Sequence, residues 1–158
     1  MKRSEHPPVI QVRNAQRSIK IRLPSLQSFA EIACALAWDN KRPRSGSASI
    51  LTILVAIVSD RQMARLHQRF LGVSEPTDVL TFHHGEIVIS AETARRQARA
   101  LGSTTQDELR LYILHGLLHL CGFDDTSARA RAAMHQIQEQ LLSDARRLQK
   151  RTKKAQPV

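Results

Sequence analysis

The spacing of apolar residues along the chain changes from one stretch to the next, and it predicts most of the secondary structure. Apolar and polar side chains alternate over residues 9–12 and 19–23, which predicts two short strands. Residues 48–58 are rich in Ile, Leu and Val and predict a buried strand. Two further strands are predicted at 79–82 and 86–89, on either side of a short turn.

Spacings of three and four between apolar residues predict helices in the rest of the chain. The predicted helices cover residues 24–38, 60–71, 91–101 and 127–148. Ser59 and Ser90 stand where N-caps are expected, and Gly72 and Gly102 stand where two of these helices should end. Strands come mainly early and helices mainly late, which predicts an α+β fold with helices packed on one mixed β-sheet.

One further helix, predicted over residues 107–120, is apolar on nearly every side. A helix of this kind is buried inside the protein rather than lying on its surface. Asp107 and Glu108 suit the positive end of the helix dipole. Thr105 is the expected N-cap, with Glu108 three residues later as in a capping box.

The charge of the chain indicates a class of binding partner. The 158 residues contain 24 Lys and Arg against 14 Asp and Glu, a net charge of +10, which attracts polyanions such as nucleic acid. Simple solubility is the alternative explanation. The low aromatic content, 4%, argues against a platform for base stacking. The length predicts a single domain over residues 1–148, followed by a basic tail over 149–158 that is either a fraying helix end or a disordered segment.

The most specific sequence feature is HGLLHLCGFDD, residues 115–125. His115 and His119 are four residues apart, so they lie on one face of the predicted helix. Gly122 then allows the chain to reverse, which brings Asp124 or Asp125 beside the two imidazoles. Two His nitrogens and one carboxylate oxygen, with a fourth position open to water, form a catalytic zinc site. The alternative is a pair of hydrogen-bonded core histidines.

The two cysteines, Cys34 and Cys121, do not suggest a disulfide framework, and they suit a reducing compartment. Cys121 is two positions from His119 and faces away from it on a helix, so it is a poor ligand candidate. The apolar run over residues 50–58 is too short to span a bilayer as a helix, and the N-terminus has no apolar signal core. We therefore expect a cytoplasmic protein that does not bind membranes.

Residues 115–125 resemble the pattern HGxLHLxGYDH of the YbeY family of metal-dependent endoribonucleases. Residues 76–82, PTDVLTF, are similar to that family's PTDVLSF segment, and residues 85–90 to its GDIVI strand. Met134 and Glu139 fall where the family carries a Met and a Glu on its last helix. The resemblance spans roughly residues 54–142. It implies a zincin-like domain, with a central metal helix and one divalent metal, Zn²⁺, held by His115, His119 and Asp125.

Two positions depart from the family pattern. The family's third ligand is His where this chain has Asp125. Carboxylate also ligates zinc, but an anionic ligand makes the bound water less acidic and harder cations more acceptable. The family carries an Arg in a YRG-like stretch where this chain has Leu71, and Arg69 is two residues too early to replace it on a regular element. Loss of that cation removes a group able to stabilise charge on phosphate.

The resemblance implies an endoribonuclease that acts on single-stranded RNA in ribosomal RNA maturation and ribosome quality control. Its expected partners are ribosomal RNA and the small ribosomal subunit, without DNA specificity. No catalytic residue is predicted. His83, His84 and Arg69 are candidates for substrate binding, although solvated turn histidines are the simpler interpretation of the first two.

The sequence is also consistent with a second function and argues against a third. Leu71 and the basic ends of the chain are also consistent with a ribosome- or RNA-binding protein whose metal is structural. A metalloprotease is disfavoured because its helix would read His-Glu-x-x-His, with the Glu as general base. Gly116 occupies that position here.

Overall fold

A computed structural model describes residues 6–43, 49–73 and 77–155, which form four strands and five helices. In chain order they are β1 (Val9–Asn14), α1 (Leu23–Asp39), β2 (Thr52–Val58), α2 (Asp60–Leu71), β3 (Val79–Phe82), β4 (Glu86–Ser90), α3 (Ala91–Leu101), α4 (Thr105–Leu120) and α5 (Ala128–Ala155). The strands form one sheet in the order β1-β2-β4-β3. Strands β1, β2 and β4 are parallel, and β3 is antiparallel to β4. The predicted α+β fold with a mixed sheet is confirmed.

Side chains on the two faces of the sheet enter different apolar clusters. Successive residues of a strand point to opposite faces, so Ile87 and Ile89 of β4 join the main core while Val88 between them does not. The main core contains α1, α4 and part of α5. Val88 packs in a smaller cluster with Met63 of α2. The sheet is therefore covered by helices on both faces.

Helix α4 lies at the centre of the fold, in contact with α1, α3, α5, β3 and β4. Its backbone approaches β4 so closely that a Cβ added at Gly116 would lie 2.7 Å from Cγ2 of Ile87. The N-cap is Thr104, whose hydroxyl accepts a hydrogen bond from the Asp107 N–H at 3.1 Å, so the predicted N-cap Thr105 was one residue late. Glu108 is buried and accepts a hydrogen bond from the Ser103 hydroxyl instead of completing a capping box.

The strand predicted over residues 19–23 is wrong. The Gln16 side chain closes a turn there, since its amide donates to the Ile19 carbonyl and its oxygen accepts from the Ile19 N–H, each at 2.9 Å. These bonds satisfy the backbone groups that a neighbouring strand would otherwise pair. Pro24 then stands in the first turn of α1, where its fixed φ is favourable and its missing N–H costs nothing. The alternating apolar residues of this segment contact the core without forming a strand.

Other boundaries follow the local signals closely. Ser59 caps α2 in a reciprocal capping box with Gln62, and Gly72 and Gly102 end α2 and α3 in the left-handed conformation. The strand predicted from residue 48 begins at Thr52, and residues 44–48 lie outside the described part of the chain, as does Pro76.

Helix α5 continues to Ala155, beyond the end predicted at Leu148. Gln149 is buried there and its amide donates to the Ser25 carbonyl at 2.8 Å, which ties this part of α5 to α1. Residues 156–158 lie outside the described part. Within that part, no helix has both the length and the apolar character needed to cross a bilayer.

Candidate metal centre

The C-terminal half of α4 and the turn after it bring three ligand side chains together. His115 and His119 lie one turn apart on one face of α4, with their rings edge-on and their Nε2 atoms 3.1 Å apart. Gly122 adopts a φ of 92°, a value that favours glycine, and the chain reverses there. The reversal places Asp125 Oδ2 3.8 Å from His119 Nε2. One ligand atom from each of the three residues lies within 4.8 Å of the others.

Each imidazole is oriented by an acceptor on its other nitrogen. Nδ1 of His115 lies 2.8 Å from Oε1 of Gln138 on α5, and Nδ1 of His119 lies 3.1 Å from the Phe123 carbonyl oxygen. Because both oxygens only accept hydrogen bonds, each Nδ1 carries the proton and donates it. Both Nε2 atoms therefore direct lone pairs into the same small space.

Two lone pairs 3.1 Å apart repel each other unless a cation lies between them. Ligands of a tetrahedral zinc ion are about 3.4 Å apart when each bond is about 2.1 Å long. The observed separations of 3.1 and 3.8 Å are close to that value. Imidazole held by a carbonyl or amide partner is also the usual arrangement of a metal-ligating His. The donor set therefore fits a divalent metal.

The structure distinguishes between the two adjacent aspartates. Oδ1 of Asp124 accepts hydrogen bonds from the backbone N–H and hydroxyl of Thr126, at 3.2 and 2.9 Å. These hydrogen bonds hold the pKa of the Asp124 carboxyl below its ordinary value. Asp124 thus stabilises the turn, and Asp125 is the residue that faces the imidazoles.

Electrostatics favour the metal-binding form of His119 and disfavour Cys121 as a ligand. Burial, followed by the neighbouring His115, lowers the pKa of His119, although Asp125 acts in the opposite direction. The neutral imidazole, which is the form that binds metals, is therefore favoured. Burial raises the pKa of Cys121 to about 12, so its thiol remains protonated near neutral pH. Cys121 is not part of the ligand cluster, as its position on the helix predicted.

Two cavities adjoin the ligands, and His115 and Asp125 line both. The larger, of about 340 Å³, lies towards β3, and its other lining residues are Leu71, Asp78, Val79, Leu80, Thr81, His83 and His119. The smaller, of about 170 Å³, lies against α5, where it is lined by Arg131, Met134, His135 and Gln138. We call these the β3 cavity and the α5 cavity.

The three predicted substrate-binding residues lie in different places. His83 lines the β3 cavity. His84 does not: its side chain is 70% exposed, with Nε2 3.2 Å from Oε2 of Glu86. The Arg69 guanidinium lies 5.5 Å from the centre of the Phe70 ring and does not line the β3 cavity either. Only His83 of the three is near the ligands.

Sequence analysis missed Gln138, the partner of His115. On this helix it named Met134 and Glu139, as matches to the family pattern, and Glu139 is exposed. Gln138 is four residues after the buried Met134, so helical spacing places it on the inward face of α5. That periodicity was the available signal, although it does not show which inward side chain meets His115.

Comparison with known proteins places these observations in a family. The family model described as Endoribonuclease YbeY matches residues 11–146. The chain belongs to the endoribonuclease YbeY family. The Endoribonuclease YbeY of Synechococcus sp. (strain CC9605) is 38% identical over 137 residues, which cover 77% of this chain and 82% of the relative. That of Aquifex aeolicus is 34% identical over 116 residues, covering 66% and 71%.

A Thermotoga maritima protein solved in solution has the same fold. Its TM-score is 0.62 at 24% identity, and the match covers 87% of this chain and 89% of that one. This likeness shows the fold alone. The ligand cluster of α4 and the turn after it lies inside the region that the family model matches.

Proposed function

We propose that this protein is a zinc-dependent endoribonuclease that cleaves single-stranded ribosomal RNA during maturation and quality control of the ribosome, at the small subunit. Membership of the YbeY family supports the reaction class. The observation that carries the proposal is the convergence of two imidazole lone pairs and one carboxylate beside an open cavity.

The ligand residues have separable tasks. His115, His119 and Asp125 would hold the metal, which when bound acts as a Lewis acid and lowers the pKa of a water molecule. Gln138 and the Phe123 carbonyl hold the protons on the Nδ1 atoms, so that both Nε2 lone pairs remain free and aimed. The rigid helix α4 preserves the spacing of the two imidazoles.

The surroundings of the ligands give a single strand of RNA room and polar contacts. The β3 cavity is open to solvent along the ligands, and Thr81 and His83 supply polar side chains in its wall. A net charge of +10 attracts RNA over a distance before any specific contact forms. Asp78 also lines this cavity, but its Oδ1 accepts the Val79 N–H at 2.8 Å, a bond that stabilises the start of β3.

We place the protein in the cytoplasm, where ribosomes are assembled. Two free, buried cysteines support a reducing compartment. Burial raises the pKa of the Cys34 thiol to about 12, which makes it unreactive.

A second function is supported by one observation. Leu71 lies in the wall of the β3 cavity, where a cation would be expected to face the RNA phosphate. An RNA-binding protein with a structural metal would tolerate leucine there, because binding needs no stabilisation of a transition state.

Zinc analysis of purified wild type, His119→Ala and His84→Ala tests the metal site. We expect about one zinc per chain in wild type and in the His84→Ala control, whose histidine lies outside the cluster, and a loss of zinc in His119→Ala. Equal zinc in all three proteins would exclude the site.

Cleavage of a labelled single-stranded ribosomal RNA fragment by the same proteins tests the reaction. Wild type should cut it, and His119→Ala should not. A wild type that retains zinc and binds the fragment, but cuts it no faster than His119→Ala, would establish the RNA-binding function instead.

A further inference from the structure

The two cavities together define a path for RNA on both sides of the metal ligands. His115 and Asp125 line both cavities, so a strand whose phosphate lies at these residues can extend into each. Every phosphate of that strand carries a negative charge. The positive charges that line the two cavities therefore bear directly on how RNA is held at the site.

The β3 cavity has no Lys or Arg among its lining residues in the described part of the chain. Leu71 is 62% exposed in its wall and contributes only apolar surface. The α5 cavity differs, because Arg131 lines it. Of the residues described as lining either cavity, Arg131 is the only Lys or Arg.

Arg131 is held beside the third ligand but is not neutralised. Its Nη1 donates to the Asp125 backbone carbonyl at 3.4 Å, a long hydrogen bond. Within residues 6–43, 49–73 and 77–155, no carboxylate oxygen forms an ion pair with it. The side chain is exposed and its charge remains available to a ligand.

Helix α5 fixes this charge relative to the metal site. Arg131, His135 and Gln138 follow one another at helical spacing along one face, and all three line the α5 cavity. Gln138 bonds to His115 at 2.8 Å, so the helix that carries Arg131 is connected directly to a ligand. Arg131 also lies in the first turn of α5, whose N-terminal end adds partial positive charge.

We propose that Arg131 binds a backbone phosphate of the RNA in the α5 cavity, next to the phosphate at the metal ligands. It thereby supplies positive charge that Leu71 does not. The planar guanidinium can donate two parallel N–H groups to one phosphate. The inference takes its substrate class, single-stranded RNA, from the proposed function.

Arg131→Ala, Arg131→Lys and the control Arg129→Ala test this contact. Arg129 is an exposed residue of α5 that lines neither cavity, and its replacement by Ala removes the same positive charge. Binding is measured by fluorescence anisotropy with a short RNA whose phosphorothioate linkages keep the charge and resist hydrolysis, at several salt concentrations. Cleavage of ordinary RNA gives kcat and KM separately, and a zinc competition titration gives metal affinity.

We expect Arg131→Ala to weaken RNA binding about tenfold and to reduce the slope of log affinity against log salt by about 0.7, the contribution of one phosphate on a single strand. KM should rise more than kcat falls. Arg131→Lys should recover part of the affinity, because it restores the charge without the fork. Arg129→Ala should bind within about twofold of wild type.

Equal RNA affinity in Arg131→Ala and Arg129→Ala would overturn the inference. A fall in zinc affinity together with RNA affinity in Arg131→Ala would also overturn it, since the residue would then act by holding the Asp125 turn. If wild type cuts no RNA but Arg131→Ala alone loses RNA affinity and salt dependence, the phosphate contact stands and the proposed nuclease activity fails.

Discussion

We expect the hydrogen bond between His115 and Gln138 to control how tightly the proposed site binds its metal. We expect Gln138→Leu to weaken zinc binding while leaving the fold intact. Leucine is similar in volume to glutamine and prefers helices, so α5 should persist. Leucine cannot accept the hydrogen bond that the Nδ1–H of His115 donates to Gln138 at 2.8 Å in the wild type.

The size of the effect follows from what His115 loses. Without its acceptor the imidazole can rotate or adopt the other tautomer, which puts the proton on Nε2 and blocks the ligand atom. Replacement of such a partner typically lowers metal affinity about 10- to 100-fold, or about 1.4 to 2.7 kcal/mol. Because His119 keeps its bond to the Phe123 carbonyl, binding should be weakened rather than abolished.

A competition titration against a chromophoric zinc chelator measures this change. Gln136→Leu is the matched control, since Gln136 lies on the same helix and is exposed. Gln138→Glu should bind zinc at least as tightly as wild type, because a carboxylate is a stronger acceptor for the imidazole N–H. Circular dichroism confirms that each variant is folded. Equal zinc affinities of folded Gln138→Leu and Gln136→Leu would refute the role assigned to this hydrogen bond.

Three further changes test other parts of the structure. Leu71→Arg should raise kcat/KM for RNA cleavage at least about tenfold without changing zinc content, and an unchanged rate would show that the β3 cavity does not contact the reacting phosphate. Gly116→Ala should cost about 1 kcal/mol in urea unfolding, because overpacking against the fully buried Ile87 exceeds the gain in helix propensity; equal or greater stability would contradict the close approach of α4 and β4. Burial acts to raise the pKa of Asp60, but hydrogen bonds, chiefly from Arg96 at 2.5 Å, hold it below its ordinary value. The ionised Asp60 carboxylate therefore stabilises the folded state above its unfolded pKa, and this stabilisation is lost as pH falls below about 4. The difference in free energy of unfolding between wild type and Asp60→Asn should narrow there, and a constant difference would argue against the ion pair.

Local signals predicted the elements whose ends are determined by neighbouring residues. The capping box of Ser59 and the left-handed glycines at 72 and 102 act over a few residues, and the structure has them where the sequence indicated. The alternation over residues 19–23 failed for a different reason. Alternation shows which side chains turn inward, but a strand forms only when its backbone pairs with a neighbouring strand. Here the Gln16 side chain bonds to the backbone of Ile19 instead.

The same distinction holds at the metal site. His115, His119 and Asp125 lie within a single helix and turn, so their spacing predicted the two histidines together with Asp124 or Asp125. The family resemblance selected Asp125, which is the aspartate that the structure places in the cluster. Gln138 and Arg131 reach that cluster from α5, and their contacts depend on how α5 packs against α4. Neither residue type indicates such a contact in the sequence, because Gln and Arg are common on the exposed faces of helices.

Two differences from the family pattern change the charge at the site in the same direction. The family resemblance implies a neutral imidazole at the position of Asp125 and an Arg at that of Leu71, so Asp125 would add a negative charge and Leu71 would remove a positive one. An RNA phosphate at the proposed site would therefore meet two fewer units of positive charge, and a water bound to the metal would be less acidic. Arg131 supplies one positive charge in the α5 cavity, on the other side of the ligands. A charge in the α5 cavity is better placed to hold a neighbouring phosphate than to stabilise the reacting one, so this arrangement should preserve RNA binding more fully than the rate of cleavage.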